Sequence, residues 1–414
     1  MQRVRLLRGT GFSISLVLAL GCGGGSSPGV PASESASSGG AGSSSGAGSS
    51  SGAGSSGGAG SSGGAGSSSG AGSFSADAGN PDGSCSTGVP AQGQPADTSK
   101  PTTVVGTGSA SSCTFAELSA AAQNGGVITF NCGPSPVTIA VTATIHLPTD
   151  RNTVIDGANR ITLDGGNAVQ ILRFDHQDFM VNDNGLTLQH ISLNNGKTTP
   201  TAAIPAAPAP CSQGFDDGEG GALYVRDGIL RIIDVVFDHN QAALLGPDTG
   251  GGGLYVTGSK PAFIVDSTFR NNSAANGGGL GSLFAELNIY NCFFEGNTAT
   301  GNGANNDDQS KCSVQNNGQY EIGSGGNGGA IYNDGASGTN VTVCGTQIVD
   351  NAAGTGGFGG AIFYTSNDFS GTLTITDSTI TGNTGGSWGG AGTGVGVNAK
   401  SIVIGASSTV QGYP

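Results

Sequence analysis

Charged side chains are scarce in this chain. Only 10% of its 414 residues are Asp, Glu, Lys or Arg, and aromatic residues make up 6%. Lysine and arginine number 14 against 28 acids. That balance argues against nucleic acid and anionic membrane surfaces as partners, and against polyanionic sugars unless a divalent cation bridges them. Long apolar runs are missing too: Gly9 to Leu20 is too short to span a bilayer as a helix. The histidines are His146, His176, His190 and His239, without metal-ligand spacing. No lysine follows a glycine-rich stretch in a strand-turn-helix setting, which removes phosphate-loop chemistry. Glycine, by contrast, is abundant at 79 residues, a share foreign to helical or α/β enzymes. The 35% hydrophobic fraction still supplies a core.

Arg3, Arg5 and Arg8 precede the short apolar run, and residues 1–22 read as an export signal. No acid precedes Glu34, so losing these three arginines takes the formal charge from −14 to −17. The run closes on "LALGC", which resembles the bacterial lipoprotein lipobox and implies acylation of Cys22. Cleavage nearby with full secretion is the alternative. The expected location is the outer face of the outer membrane, and on either route disulfides persist. Residues 23 to about 84 are nearly pure Gly, Ser and Ala, and 23–111 as a whole reads as a flexible linker. As a coil, about 60 such residues reach roughly 40 Å.

The ordered body is expected over 112–414. It opens on "CTFAELSAAAQNGG", with Thr114 and Glu117 at capping-box spacing and Asn124-Gly125 as a stop, hence one short helix acting as an end cap. Brief Val/Ile/Thr runs separated by turn residues follow. From Gly220 a unit recurs: glycine pairs open at Gly220, Gly251, Gly277, Gly328, Gly359 and Gly389. The closures "FDHN", "FRNN", "FEGN", "IVDN" and "ITGN" begin at Phe237, Phe269, Phe294, Ile348 and Ile380. The period marks a solenoid, and its short alternating segments mark strands. The expectation is an all-β, single-stranded parallel β-helix, three short strands to a coil, with Phe or Ile stacked inside and Asn laddered at a turn.

The G-G-A-[IL] plus F-x-x-N pair resembles the polymorphic outer-membrane-protein repeat. The frame around "TVIDGANRITLDGGN" is similar to bacterial right-handed β-helix proteins of the pectate-lyase-like fold. The resemblance implies a right-handed coil over roughly 112–410, and it specifies an activity only weakly. The carboxy-terminal membrane barrel of the first family is not expected here, a lipid anchor taking its place.

Residues recurring at every turn are explained by the turn, so function belongs where the repeat breaks. Residues 197–219 and 298–327 interrupt it on the same edge, three coils apart. Cys211 and Cys312 lie one in each break and are expected to pair, as are Cys113 with Cys132 and Cys292 with Cys344, leaving Cys85 over. The first reading is a non-catalytic surface protein that binds a glycan or another surface protein without a cofactor, through Phe215, Tyr224, Tyr255 and Tyr320 near the breaks. The alternative is a Ca²⁺-dependent lyase of uronic-acid polymers. Its fold relatives hold Ca²⁺ with carboxylates against a uronate while Arg or Lys takes the proton, a pairing that stabilises the enolate. Here Asp216, Asp217 and Glu219, with Asp307 and Asp308, are the candidate metal ligands, and Lys260, Arg226 or Arg270 the candidate base. "VFDHN" resembles an aromatic-Asp-His motif of pectate lyases, but Asp238 and His239 fall at positions that other copies fill with turn residues.

Overall fold

The computed structural model describes residues 78–413 apart from 202, 204–213, 259, 303–313, 317–318, 322–323, 367 and 387–392; of 314–316, 319–321 and 398 it describes the backbone alone. Cys22, Cys211, Cys312, Asp307 and Asp308 lie outside the described residues, as does the side chain of Tyr320.

One coil shows how the sequence folds. Gly220, at φ +66°, turns the chain into strand Leu223–Arg226. After a turn at Asp227 and Gly228, strand Ile229–Asp238 runs on and bends at Asp234, φ +53°. These are the three strand arms expected. Leu230, Ile232, Val235 and Phe237 are buried, while Arg231 and Val236 between them face outward. The bend explains the alternation: one left-handed residue swings the strand without breaking it, keeping apolar side chains inward on both arms.

Coils then stack by parallel pairing. Leu254 sits between Leu223 and Leu280, and Phe269 between Phe237 and Phe294. Eight strands, from Ile145–His146 to Val395–Asn398, form one sheet, and a 16-stranded sheet carries the other two arms. A narrow third ladder follows the Asn turn, with Gln241 bridging Lys197 and Ser273, and Ala352 bridging Thr298 and Thr384. The interior is apolar and continuous. Phe237, Phe269 and Phe294 are 0% exposed, their ring centroids 4.7 Å apart at each step and their planes within 12°.

The cap forms as its sequence dictates. Helix Phe115–Asn124 begins where Thr114 Oγ1 accepts the Glu117 N–H at 3.2 Å, and ends at Gly125, φ +65°. Leu118, Ala121 and Ala122 close the core at this end, and Cys113 is bonded to Cys132.

The structure corrects the expected boundary at 111. The chain is already packed on the body at Ala78, whose N–H donates to Asp234 Oδ1. It runs toward the carboxy-terminal coils, with Asn80 N–H on the Asn291 carbonyl, Cys85 N–H on Asn291 Oδ1 and Ser86 on Asp377 Oδ2. It then doubles back past Phe263 and Val265, which pack at Gly93, to Gln189 and Asp156, reached by Ala96 and Thr98. Strand Thr103–Val105 finally pairs with Ile128–Phe130. We call residues 78–101 the strap.

The cysteine pairing is corrected as well. Cys85 is bonded to Cys344, and Cys292 is free and buried. Register gives the reason. Tyr290 is level with Cys344, and Phe293 with Gln347, so Cys292 is level with Thr346 rather than Cys344. Cys292 belongs to the core cluster, while Cys344 stands at the corner the strap covers.

Candidate functional site

On the eight-stranded sheet the outward residues form two rows. The first is Arg173, Tyr224, Tyr255, Gly281, Tyr332 and Phe363; the second is Asp175, Arg226, Thr257, Leu283, Asp334 and Thr365. Tyr224 and Tyr255 stack at 6.1 Å and Tyr332 on Phe363 at 5.4 Å. At one end the Arg173 guanidinium lies 4.1 Å over the Tyr224 ring and pairs with Asp175 at 2.8 Å. Cation–π contact and ion pair together fix that guanidinium in the plane of the face. Arg226 lies 5.4 Å over Phe179, which leans on Phe284 at the opposite lip.

The tyrosines are not the exposed platform expected from sequence. Tyr224 is 8%, Tyr255 2% and Tyr332 4% exposed. Loop 244–250 crosses beside them, and Tyr255 donates its hydroxyl to the Asp248 carbonyl at 2.9 Å. Asn276 holds that loop through the Gly246, Pro247 and Thr249 carbonyls. The described ends of both insertions meet on it: Phe215 N–H reaches the Leu245 carbonyl at 2.9 Å, and Gly246 N–H the Ser324 carbonyl at 3.0 Å. Phe215 itself is half-buried. The tyrosines are therefore a buried floor, and the half-buried polar groups of the two rows are Arg173, Asp175, Arg226, Asp334 and Thr365, with Leu283 and Phe363 half-buried beside them.

Gln170 fastens the Glu219 turn to the strand that carries Arg173. Its amide donates to the Glu219 and Gly220 carbonyls while its oxygen faces Arg173. Burial pushes the Glu219 carboxyl up to about 7; its own backbone and Arg173 pull it down, and Asp217 and Asp216 push it further up. Burial likewise pushes Asp334 up to about 7, with Asp248 adding to it. One oxygen each of Asp216 and Asp334 is buried without a partner. Near neutrality Glu219 and Asp334 are thus poised to donate as well as accept hydrogen bonds.

The expected metal set is not assembled by the described residues. Asp217 accepts from the Thr201 N–H and hydroxyl, the ordinary fastening of a turn. Asp216, Asp217 and Glu219 do not converge, whereas Ca²⁺ takes six to eight oxygens. Among the described residues the one set of three ligand atoms within 4.8 Å is Cys85, Cys344 and Asp377, and its sulfurs are joined in the disulfide. The candidate bases are dispersed. Lys260 is held by Asp183 at 2.7 Å, and Arg270 by Asp238 at 3.1 Å on the other sheet; only Arg226 reaches this face. Asp238 also holds His239 and is itself half-buried, while His239 is exposed.

Gln170, Arg173, Asp175 and Asp334 escaped the reading of the sequence. The strand Leu172–Asp175 lies one coil before the first glycine pair and lacks that pair, though its register with Leu223–Arg226 is complete. Its alternation of Leu172 and Phe174 with Arg173 and Asp175 was the available signal.

Residues 220–405 match the family model described as "Right handed beta helix region". No curated protein and no solved structure matches the chain. The match agrees with the stacked parallel sheets, and the fold is an all-β, right-handed parallel β-helix. Among the described residues no helix is long and apolar enough to cross a membrane.

Proposed function

We propose that this chain is a non-catalytic binding protein whose ligand is a neutral glycan seated on the outer face of the eight-stranded sheet, around Arg173 and Glu219. The observation that carries this reading is the row of half-buried polar groups fixed above a buried aromatic floor. Sugar hydroxyls need both donors and acceptors held rigidly against an apolar surface, and Arg173, Asp175 and a carboxyl near its titration point supply them. The acidic excess of the chain favours an uncharged polymer over a polyanion. The export signal, an acyl group on Cys22 and the Gly/Ser/Ala tract fit display at the outer membrane, with secretion as the alternative; the same face is open to a surface protein.

A uronate lyase remains the second reading, because Arg226 and Arg173 share a face with Glu219. A two-carboxylate hydrolase finds less support. Glu219 enters the rung of Leu223 and Asp334 stands in that of Ile331, three rungs on, or roughly 14 Å. Such enzymes need at most about 9.5 Å.

Retention on immobilised neutral polysaccharides is the test, with Arg173→Ala and Arg270→Ala compared. The expected result is at least tenfold weaker retention for R173A and none lost for R270A. Equal retention of both would reject the sheet face. Ultraviolet absorbance of an unsaturated product from uronic-acid polymers with Ca²⁺ would replace binding with the lyase reading.

A further inference from the structure

The first described residues of the strap lie on the flank of the body instead of at its cap. Ala78 meets Asp234 in a middle coil, and the contacts of Asn80, Cys85 and Ser86 carry the chain to the coil of Asp377 before it returns. The return passes Arg231, whose Nε donates to the Gln92 carbonyl at 2.7 Å, and reaches Gln189 and Asp156. The strap therefore crosses most of the coils between the cap and Cys344 at one corner. Its single covalent link to them is Cys85–Cys344, with a sequence separation of 259.

We propose that this disulfide is a latch that carries tension past the coils it encloses. Tension arriving through the chain before Ala78 can peel residues 78–84, whose hold is a few hydrogen bonds. At Cys85 it crosses the sulfur–sulfur bond directly to Cys344. The cap, the return of the strap and every coil up to Cys344 lie inside the closed covalent loop. So do Gln170, Arg173, Glu219, Tyr224, Arg226 and Asp334, and pulling on the tether cannot unravel the coils that carry the candidate site. Noncovalent coils would yield one after another, because each is held only by its neighbours. Reduction opens the path: a dithiol reductant supplies two electrons and is itself oxidised to a disulfide, and Cys85 and Cys344 each gain a proton. The latch serves any ligand held by these coils, so its test needs no ligand and stands apart from that of the binding reading.

The test is optical-tweezer stretching of the full chain between its two termini. The oxidised protein should release only the residues before Cys85 and after Cys344. Cys85→Ser, made together with Cys211→Ser and Cys312→Ser so that Cys113–Cys132 with its separation of 19 is the one link kept inside the loop, should release a further length on the order of 800 Å at roughly 3.5 Å per residue. Where the variant fails to fold, the folded wild type is reduced at low force and pulled again; reduction opens Cys113–Cys132 too, so a further length on the order of 900 Å is expected. An oxidised chain that extends as far as the reduced one overturns the latch.

Discussion

Asn297 makes four side-chain hydrogen bonds while wholly buried. Its amide donates to the Phe269 carbonyl and Asn351 Oδ1, and its oxygen accepts from the backbone N–H and the amide of Asn272. An aspartate there loses both donors and buries a charge, so Asn297→Asp should cost on the order of 3 kcal/mol or more. Asn383, half-buried at the far end of the ladder, should lose about 1 kcal/mol in the same change. Urea melts of the two variants measure the difference. The F-x-x-N spacing revealed this ladder in the sequence, but not its first rung. Gly196 holds the Asn position in "LNNG" and meets Asn240 through its backbone N–H at 2.7 Å. A second pair reads pH. For Asp156, burial pushes the carboxyl up, but bonds from His190, Ala158, Gln189 and Thr98 outweigh it and bring it to about 2. The Asp156 bond in turn raises His190 above its usual value, against burial. The Asp156 contribution is present above pH ~4 and lost as pH falls through about 2. That of His190 is complete below pH ~6.5 and lost as pH rises through its raised value. Asp156→Asn should remove both dependences, and melts across pH 2–9 would show whether either persists.

Strands, corners and stacks obey rules that a repeat makes visible. At the bend inside the long strands the chain places His190, Asp234, Asp266, Asn291, Gly345 and Asp377, all between φ +46° and +61°. At the F-x-x-N corner it places Asn195, His239, Asn271, Gly296, Asp350 and Gly382. These are the residue types that tolerate left-handed backbone, so their identities follow from the corner and need no chemistry. The resemblance of "VFDHN" to a catalytic motif dissolves on that ground. Removing the middle ring of the aromatic stack, Phe269→Ala, should cost about 3–5 kcal/mol through lost burial and an unfilled cavity. Phe269→Leu should cost distinctly less, and denaturant midpoints at unchanged slope measure both. The strap stayed hidden in the sequence for a physical reason. It packs through hydrogen bonds to distant corners, contacts that leave no periodic apolar pattern in residues 78–101.

Within residues 78–413 as described, stacked coils enclose one apolar interior, and polar groups stand at corners, in the strap and on the outward faces of both large sheets, Arg231 and Arg270 among them. Repeat spacing was enough to read the stack, because every coil solves the same packing problem. The site was only half legible. The breaks pointed to the edge that carries Glu219, and to Tyr224 and Arg226 on the proposed face, while Arg173 and Asp175 come from a coil without the repeat's glycine pair. Glu219 and Asp334 also mark the stability of the whole. Their raised folded values mean that the native state holds protons which the unfolded chain gives up near pH 4. Stability should therefore fall as pH rises from ~4 to about 7, by on the order of 3 kcal/mol for each group, and Glu219→Gln with Asp334→Asn should flatten that slope. Thermal melts in matched buffers decide this. The binding face itself is reached most directly by backbone hydrogen exchange of the full chain with and without the neutral polysaccharide that retains it best. Slowed exchange is expected in Leu172–Asp175 and Leu223–Arg226 and in the 214–221 turn, and none in the strap. Protection confined to the strap or to the Asn corner would contradict it.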